Sequence, residues 1–159
     1  MNEPNVWITK DLEAELIPLI EYCTDFCQVF PLSAMTLHCL SHSGASSVLR
    51  LLFAYQIPNS VLAQIQWVPI GRGMAGEAQR TGQVIHTCNL PQDTNPVIRS
   101  GARQVRGTFA GAYPLGQGSD SLGVLGISFA TEQDQLQSNK AIEEARMKCR
   151  LMLESCIKK

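Results

Sequence analysis

Three glycines, five arginines and six cysteines are the residues of this chain whose types and spacing could do chemistry. Gly71, Gly73 and Gly76 fall within six positions, between an apolar run ending at Ile70 and a helix-compatible stretch stopping at Thr81 and Gly82. Glycine takes positive φ freely and lets backbone approach a neighbour with no Cβ in the way. A helix leaving such a turn starts with free backbone N–H groups, which suit an anion or the polar edge of a ligand. Arg72, Arg80, Arg99, Arg103 and Arg106 stand against only Glu77 and Asp93 in this region, a local excess of three positive charges. The planar guanidinium fork favours carboxylate and phosphate. A solvated charged face is the alternative reading of the same residues.

The cysteines point elsewhere. Cys23 and Cys27 are four apart, and Cys149 and Cys156 seven apart, so each pair shares a helix face. With no secretory signal in view, buried reduced thiols are expected. There is no Cys-x-x-Cys, and His38, His42 and His86 do not join cysteines at zinc-ligand spacing, so neither a metal nor a cofactor is expected.

The glycine spacing matches the dinucleotide fingerprint G-x-G-x-x-G, but its context does not. That fingerprint needs a preceding first strand, a long following helix and an acidic residue ending the second strand. Here the helix is about two turns long, and the next apolar run, Val84 to Thr87, ends at Cys88 and Asn89.

The elements that must position these residues can be read in order. Apolar residues at 12, 16, 17, 20, 23, 26, 27 and 30 make a helical stripe over residues 11–30, with Pro18 as a kink or fresh start. Residues 34–40 and 48–57 read as strands of a hairpin, turning at residues 41–44. Residues 61–65 are compatible with strand or helix. Residues 89–106 lose all periodicity, with a short helix over 97–104 capped by Asn95. Segments of this length inside a domain commonly cover binding sites. Residues 107–115 and 122–130 are the clearest strands, joined by a Gly- and Ser-rich loop. Ala110, Gly111 and Ala112 leave room above the sheet for a ligand or a closely packed helix. A single helix over 132–157 closes the chain, with Leu136, Ile142, Ala145, Cys149, Met152, Leu153 and Cys156 inward and a Glu144–Lys148 pair outward.

The succession of pieces resembles the signature of GAF domains. Ile70 to Gly76, Arg80-Thr81-Gly82, Val84 to Thr87, Ala112-Tyr113-Pro114-Leu115 and Leu122 to Ser128 follow in that family's order. The resemblance implies an α+β fold over residues 1–159: a central antiparallel sheet of five to six strands, the terminal helices on one face, and a ligand pocket on the other beneath residues 89–106. It makes Trp67 and Met74 at the corner, Arg99 and Arg103 over the pocket, and Thr108, Ala110 and Tyr113 on its floor the candidate ligand contacts. Residues such as Trp67 and Tyr113 are more often core, and such arginines more often solvated charge.

Composition bounds the function. With 159 residues, 45% hydrophobic and 17% charged, the chain reads as one globular domain. Its net charge of −1 and lack of basic–aromatic interleaving argue against nucleic acid. No apolar run suits a membrane span, and a cytoplasmic location is expected. The leading expectation is a non-catalytic sensor of a small anionic or oxygen-rich molecule. An interaction or dimerisation module with a vestigial pocket, docking a kinase or transcription regulator, is the alternative. The N-terminal helix is acidic and the C-terminal one slightly basic, so a homodimer through them is expected. Some proteins resembling GAF domains reduce free methionine sulfoxide with pocket thiols. The turn here holds no cysteine, and Cys88 alone is near, without a resolving partner.

Overall fold

Strand alternation sorts the core into two layers on either side of one sheet. On β7 (Gly123–Phe129), Leu125, Ile127 and Phe129 face one way, while Val124, Gly126 and Ser128 face the other. The computed structural model describes residues 5–43 and 46–157. Six further strands complete the sheet: β1 (Val6–Ile8), β2 (Ala34–Ser43), β3 (Ser46–Tyr55), β4 (Trp67–Pro69), β5 (Ile85–Thr87) and β6 (Phe109–Pro114). Their order is β1-β3-β2-β7-β6-β5, with β4 also on β3. Every pairing among the described residues is antiparallel, which removes the parallel βαβ unit a dinucleotide cradle requires.

The seventh strand, one more than the sequence predicts, is β1. Strand β3 is long enough to offer one edge to two partners. Val48, Leu49 and Arg50 pair with β4, and Phe53, Ala54 and Tyr55 pair with β1. The hairpin β2–β3 is as expected, although β2 continues to Ser43. The expected turn at residues 41–44 lies in part outside the described residues.

Helices α1 (Ile17–Val29) and α6 (Asn139–Ile157) cover one face. Leu19, Cys23 and Phe26 from α1 and Ile142, Ala145, Cys149 and Leu153 from α6 pack on Phe53, Leu125 and Phe129. Pro18 sits in the first turn of α1, where its missing N–H costs nothing, so it marks a start rather than a kink. The single helix expected over 132–157 is two, since α5 (Glu132–Gln137) stops at Ser138. The last turn tightens there: the Ser138 N–H donates to the Gln135 carbonyl at 3.0 Å, and its hydroxyl to the Asp134 carbonyl at 2.9 Å. The restart at Asn139 changes the helical phase, so Leu136 faces outward and Gln135 is buried in its stead. Lys148 stands over the Tyr22 ring at 5.4 Å.

The opposite face carries α2 (Asn59–Ile65), which resolves the ambiguity at residues 61–65 as helix, and α3 (Gly73–Thr81). Val61 and Leu62 pack on Ala34, Leu51 and Ala54; Ala78 packs among Leu49, Ala112 and Val124. The core on this side is built from smaller residues than the helix-covered face, and the space they leave holds the site.

Candidate functional site

Between β4 and α3 the chain turns through Gly71 at φ 91° and Gly73 at φ 70°, left-handed values that L side chains adopt only under strain. The Gly71 N–H donates to the Gly76 carbonyl at 2.8 Å, and the Arg72 N–H to the Pro69 carbonyl at 3.1 Å. A Cβ on Gly76 would stand 2.6 Å from the Pro69 carbonyl oxygen. Two glycines are thus demanded by dihedral and the third by close approach. Gly82, at φ 67°, ends α3 and donates to the Ala78 carbonyl at 2.8 Å.

The corner forms one wall of a cavity of about 210 Å³. Its floor is the small-residue face of the sheet, with Ala34 and Thr36 from β2, Ala110 and Ala112 from β6, and Gly126 from β7. Ile57, Val61 and Ile65 bound one side, and Arg72, Gly73, Met74 and Ala75 the other. Leu90, Arg99, Ala102 and Val105 come from the segment 89–106, which lies over this face as expected. That segment holds one short helix, α4 (Ser100–Arg103), instead of the longer 97–104. Asn95 Oδ1 accepts from the Val97 N–H at 3.1 Å, closing a turn ahead of it.

Of the sequence-predicted contacts, Trp67, Met74, Arg99 and Ala110 come together around this cavity, Trp67 at the rim and 57% exposed. Arg103 does not join them. Its Nε donates to the Asp93 carbonyl at 2.9 Å, while Thr87 donates to the Asp93 carboxylate at 2.5 Å. The Thr87 hydroxyl and the Asn95 N–H hold the Asp93 carboxyl below its usual range, so this cluster braces the segment. Thr108 is exposed and outside the cavity. Its N–H donates to the Phe129 carbonyl and its carbonyl accepts from the Leu90 N–H, both backbone bonds just before β6 begins. Tyr113 lies on the helix-covered face, because alternation from Ala110 and Ala112 turns it the other way. Burial raises its pKa, and its ring folds back over Gly111.

Arg72 and Arg99 are exposed at the cavity wall, and no acidic side chain among the described residues pairs with either. The Arg99 Cγ lies 3.3 Å from where a Cβ on Gly73 would stand, so its stem crosses the corner. Arg80, by contrast, is spent on Glu77. No side chain caps the start of α3, whose first turn faces the cavity.

His38 lies outside the residues that the sequence pattern marks as candidates, yet it lines the cavity. It projects from β2 on the face of Ala34 and Thr36, and is 2% exposed. Its Nε2 is 2.8 Å from the Ile65 carbonyl and so carries the proton, leaving Nδ1 as an acceptor with no partner. Burial drops its pKa to about 4, against the weaker opposing pull of the Ile65 carbonyl, so the ring is neutral. The available signal was a polar residue in register with small ones on the strand face away from Met35 and Leu37.

None of the cysteine side chains lines this cavity. Cys23, Cys27 and Cys149 are buried under the terminal helices, and Cys88 is exposed. A hydrogen bond with Cys149, together with burial, pushes the Cys23 thiol well up, so it is inert as a nucleophile.

An antiparallel sheet with terminal helices on one face and a loop-roofed cavity on the other is an α+β architecture. More particularly, the chain has the GAF-type fold. It superimposes on a GAF domain region from Geobacter sulfurreducens with a TM-score of 0.67 at 12% identity, covering 88% of this chain and 93% of that one. A type II free methionine-R-sulfoxide reductase from Thermoplasma acidophilum gives a TM-score of 0.64 at 11% identity, over 89% and 93% of the two chains. NreA from Staphylococcus aureus, mutated in its nitrate binding site, gives 0.57 at 17% identity, over 70% and 83%. No family model and no curated protein matches the sequence.

Proposed function

We propose that this domain is a non-catalytic, regulatory sensor of a small organic anion. The ligand places an apolar body on the Ala/Gly floor of the cavity and a carboxylate at the mouth, between Arg72 and Arg99. One observation carries the reading: a mainly apolar cavity opens beside two arginines that no acid among the described residues neutralises. Apolar walls with a few convergent polar groups are the usual form of a small-molecule site. The fold is shared with a nitrate-binding protein and with sulfoxide reductases. An inorganic anion would leave these apolar walls unfilled, and the thiol that a reductase uses has no counterpart among the lining residues.

Thermal-shift measurements against benzoate, branched short-chain carboxylates, nitrate and phosphate test this. The organic acids should raise the melting temperature and the inorganic ions should not. The organic-acid effect should fall roughly tenfold in affinity in Arg99→Ala. No shift with any carboxylate removes the reading.

A second reading, self-association through the terminal helices, is favoured by Met147 and Leu151. They stand one turn apart on α6, 65% and 59% exposed. The acidic residues Glu15, Glu21 and Asp25 on and before α1 supply charge opposite to Lys140 and Lys148 on α6 of a second copy. Light scattering should give a dimer that Met147→Asp converts to monomer.

A further inference from the structure

We infer that the ligand of this cavity carries a hydrogen-bond donor, a hydroxyl or an N–H, and delivers it to Nδ1 of His38. The inference rests on the organic-anion reading above and adds the second recognition point. On the sheet and α2 side four lining residues offer a polar side chain: Thr36, His38 and Ser128 on the sheet, and the exposed Gln64 on α2. Ser128 donates to the Arg106 carbonyl at 2.6 Å, and Gln64 donates to the Ser60 carbonyl at 3.2 Å. His38 is locked in one tautomer by the Ile65 carbonyl, which leaves its second nitrogen a fixed, neutral acceptor. That nitrogen is the one buried side-chain nitrogen or oxygen without a partner among the described residues. A buried acceptor left unmade is costly unless something fills it, so it penalises every ligand that cannot donate.

The backbone is shaped around the same residue. The β2–β3 register shifts between Leu37 and His38, so Leu51 pairs with His38 and Leu52 is left over as a bulge. The extra residue lies in β3, so the re-aimed side chains are those of β3, and His38 keeps the alternation of Ala34 and Thr36 toward the cavity. Thr36, one step along the same face, places a rotatable hydroxyl beside Gly126, where a Cβ would meet its Oγ1 at 2.5 Å. The ligand class is therefore an acid with a donor at its opposite end: a carboxylate outward to the arginines, a hydroxyl or N–H inward to the imidazole.

The test compares matched probes on the full chain by calorimetry: para-hydroxybenzoate against para-methylbenzoate, and the phenylpropionates with the same two substituents. The hydroxyl member of a pair should bind roughly fivefold to tenfold more tightly. Nitrogen NMR should show the His38 Nδ1 resonance moving with the hydroxyl probe and not with the methyl probe. His38→Phe should abolish the preference, and His38→Gln, which keeps a donor for Ile65 and an acceptor for the ligand, should retain part of it. Equal affinities within both pairs on the unmodified protein, with carboxylates still binding, overturn this inference and leave the organic-anion reading standing. Failure of every carboxylate overturns both.

Discussion

The imidazole Nε2 of His38 lies 2.8 Å from the carbonyl oxygen of Ile65, tying the middle of β2 to the end of α2 across the cavity. This bond fixes the tautomer of the only histidine on the cavity wall among the described residues. It also makes a polar side chain a structural strut at the point where the floor meets the side wall.

Burial lowers the His38 pKa from 6.5 to about 4, so the folded state keeps the ring neutral where an unfolded chain would protonate it. The sign follows: stability from this residue is complete above about pH 6.5 and is lost as pH falls toward 4. The loss over that window should approach roughly 3 kcal/mol. Urea unfolding at neutral pH and near pH 4 should show it, and His38→Gln should flatten this part of the profile.

Gly82→Ala should destabilise the domain by more than about 2 kcal/mol. Its φ of 67° is left-handed, and a Cβ there would stand 2.0 Å from the Gly118 backbone nitrogen. Gly118→Ala, at φ 55° with nothing within 4 Å, isolates the dihedral cost alone and should lose about 1 kcal/mol. Chemical denaturation of the two variants separates clash from strain.

Filling the floor should remove binding without removing the fold. Ala110 contributes only a methyl group to a cavity of about 210 Å³. Ala110→Leu is expected to leave the melting temperature unchanged or raised, because the added atoms occupy space already present. Affinity for para-hydroxybenzoate should drop more than about tenfold in the same variant.

The terminal helix is held to the sheet by arginine forks. Arg150 Nη1 donates to the Leu115 and Asp120 carbonyls at 2.7 and 2.8 Å, and Arg146 donates twice to the Pro114 carbonyl. Arg150→Met keeps the stem and removes the donors, so it should cost roughly 1–3 kcal/mol and speed amide exchange at residues 116–121.

Much of this architecture was legible because local rules and the fold agree. Gly71, Gly73, Gly76 and Gly82 each answer a backbone demand, and that spacing survives translation into coordinates almost unchanged. Helix α1 and strands β2, β3, β6 and β7 follow from apolar periodicity. Strand β1 escaped because three residues carry no period, and the break at Ser138 because no glycine or proline marks it. Trp67, Met74, Arg99 and Ala110 reached the cavity, whereas Tyr113 was assigned to the floor against its own alternation. His38 was not legible as a recognition point, since its character depends on a carbonyl 27 residues further along the chain.

The most direct test of the organic-anion cavity is amide chemical-shift mapping of the labelled protein during titration with para-hydroxybenzoate. Saturable changes should concentrate at residues 73–75, 101–102 and 110–112, which ring the cavity. Changes confined to α1 and α6, or none at saturating concentrations of this and the other carboxylates, would contradict it.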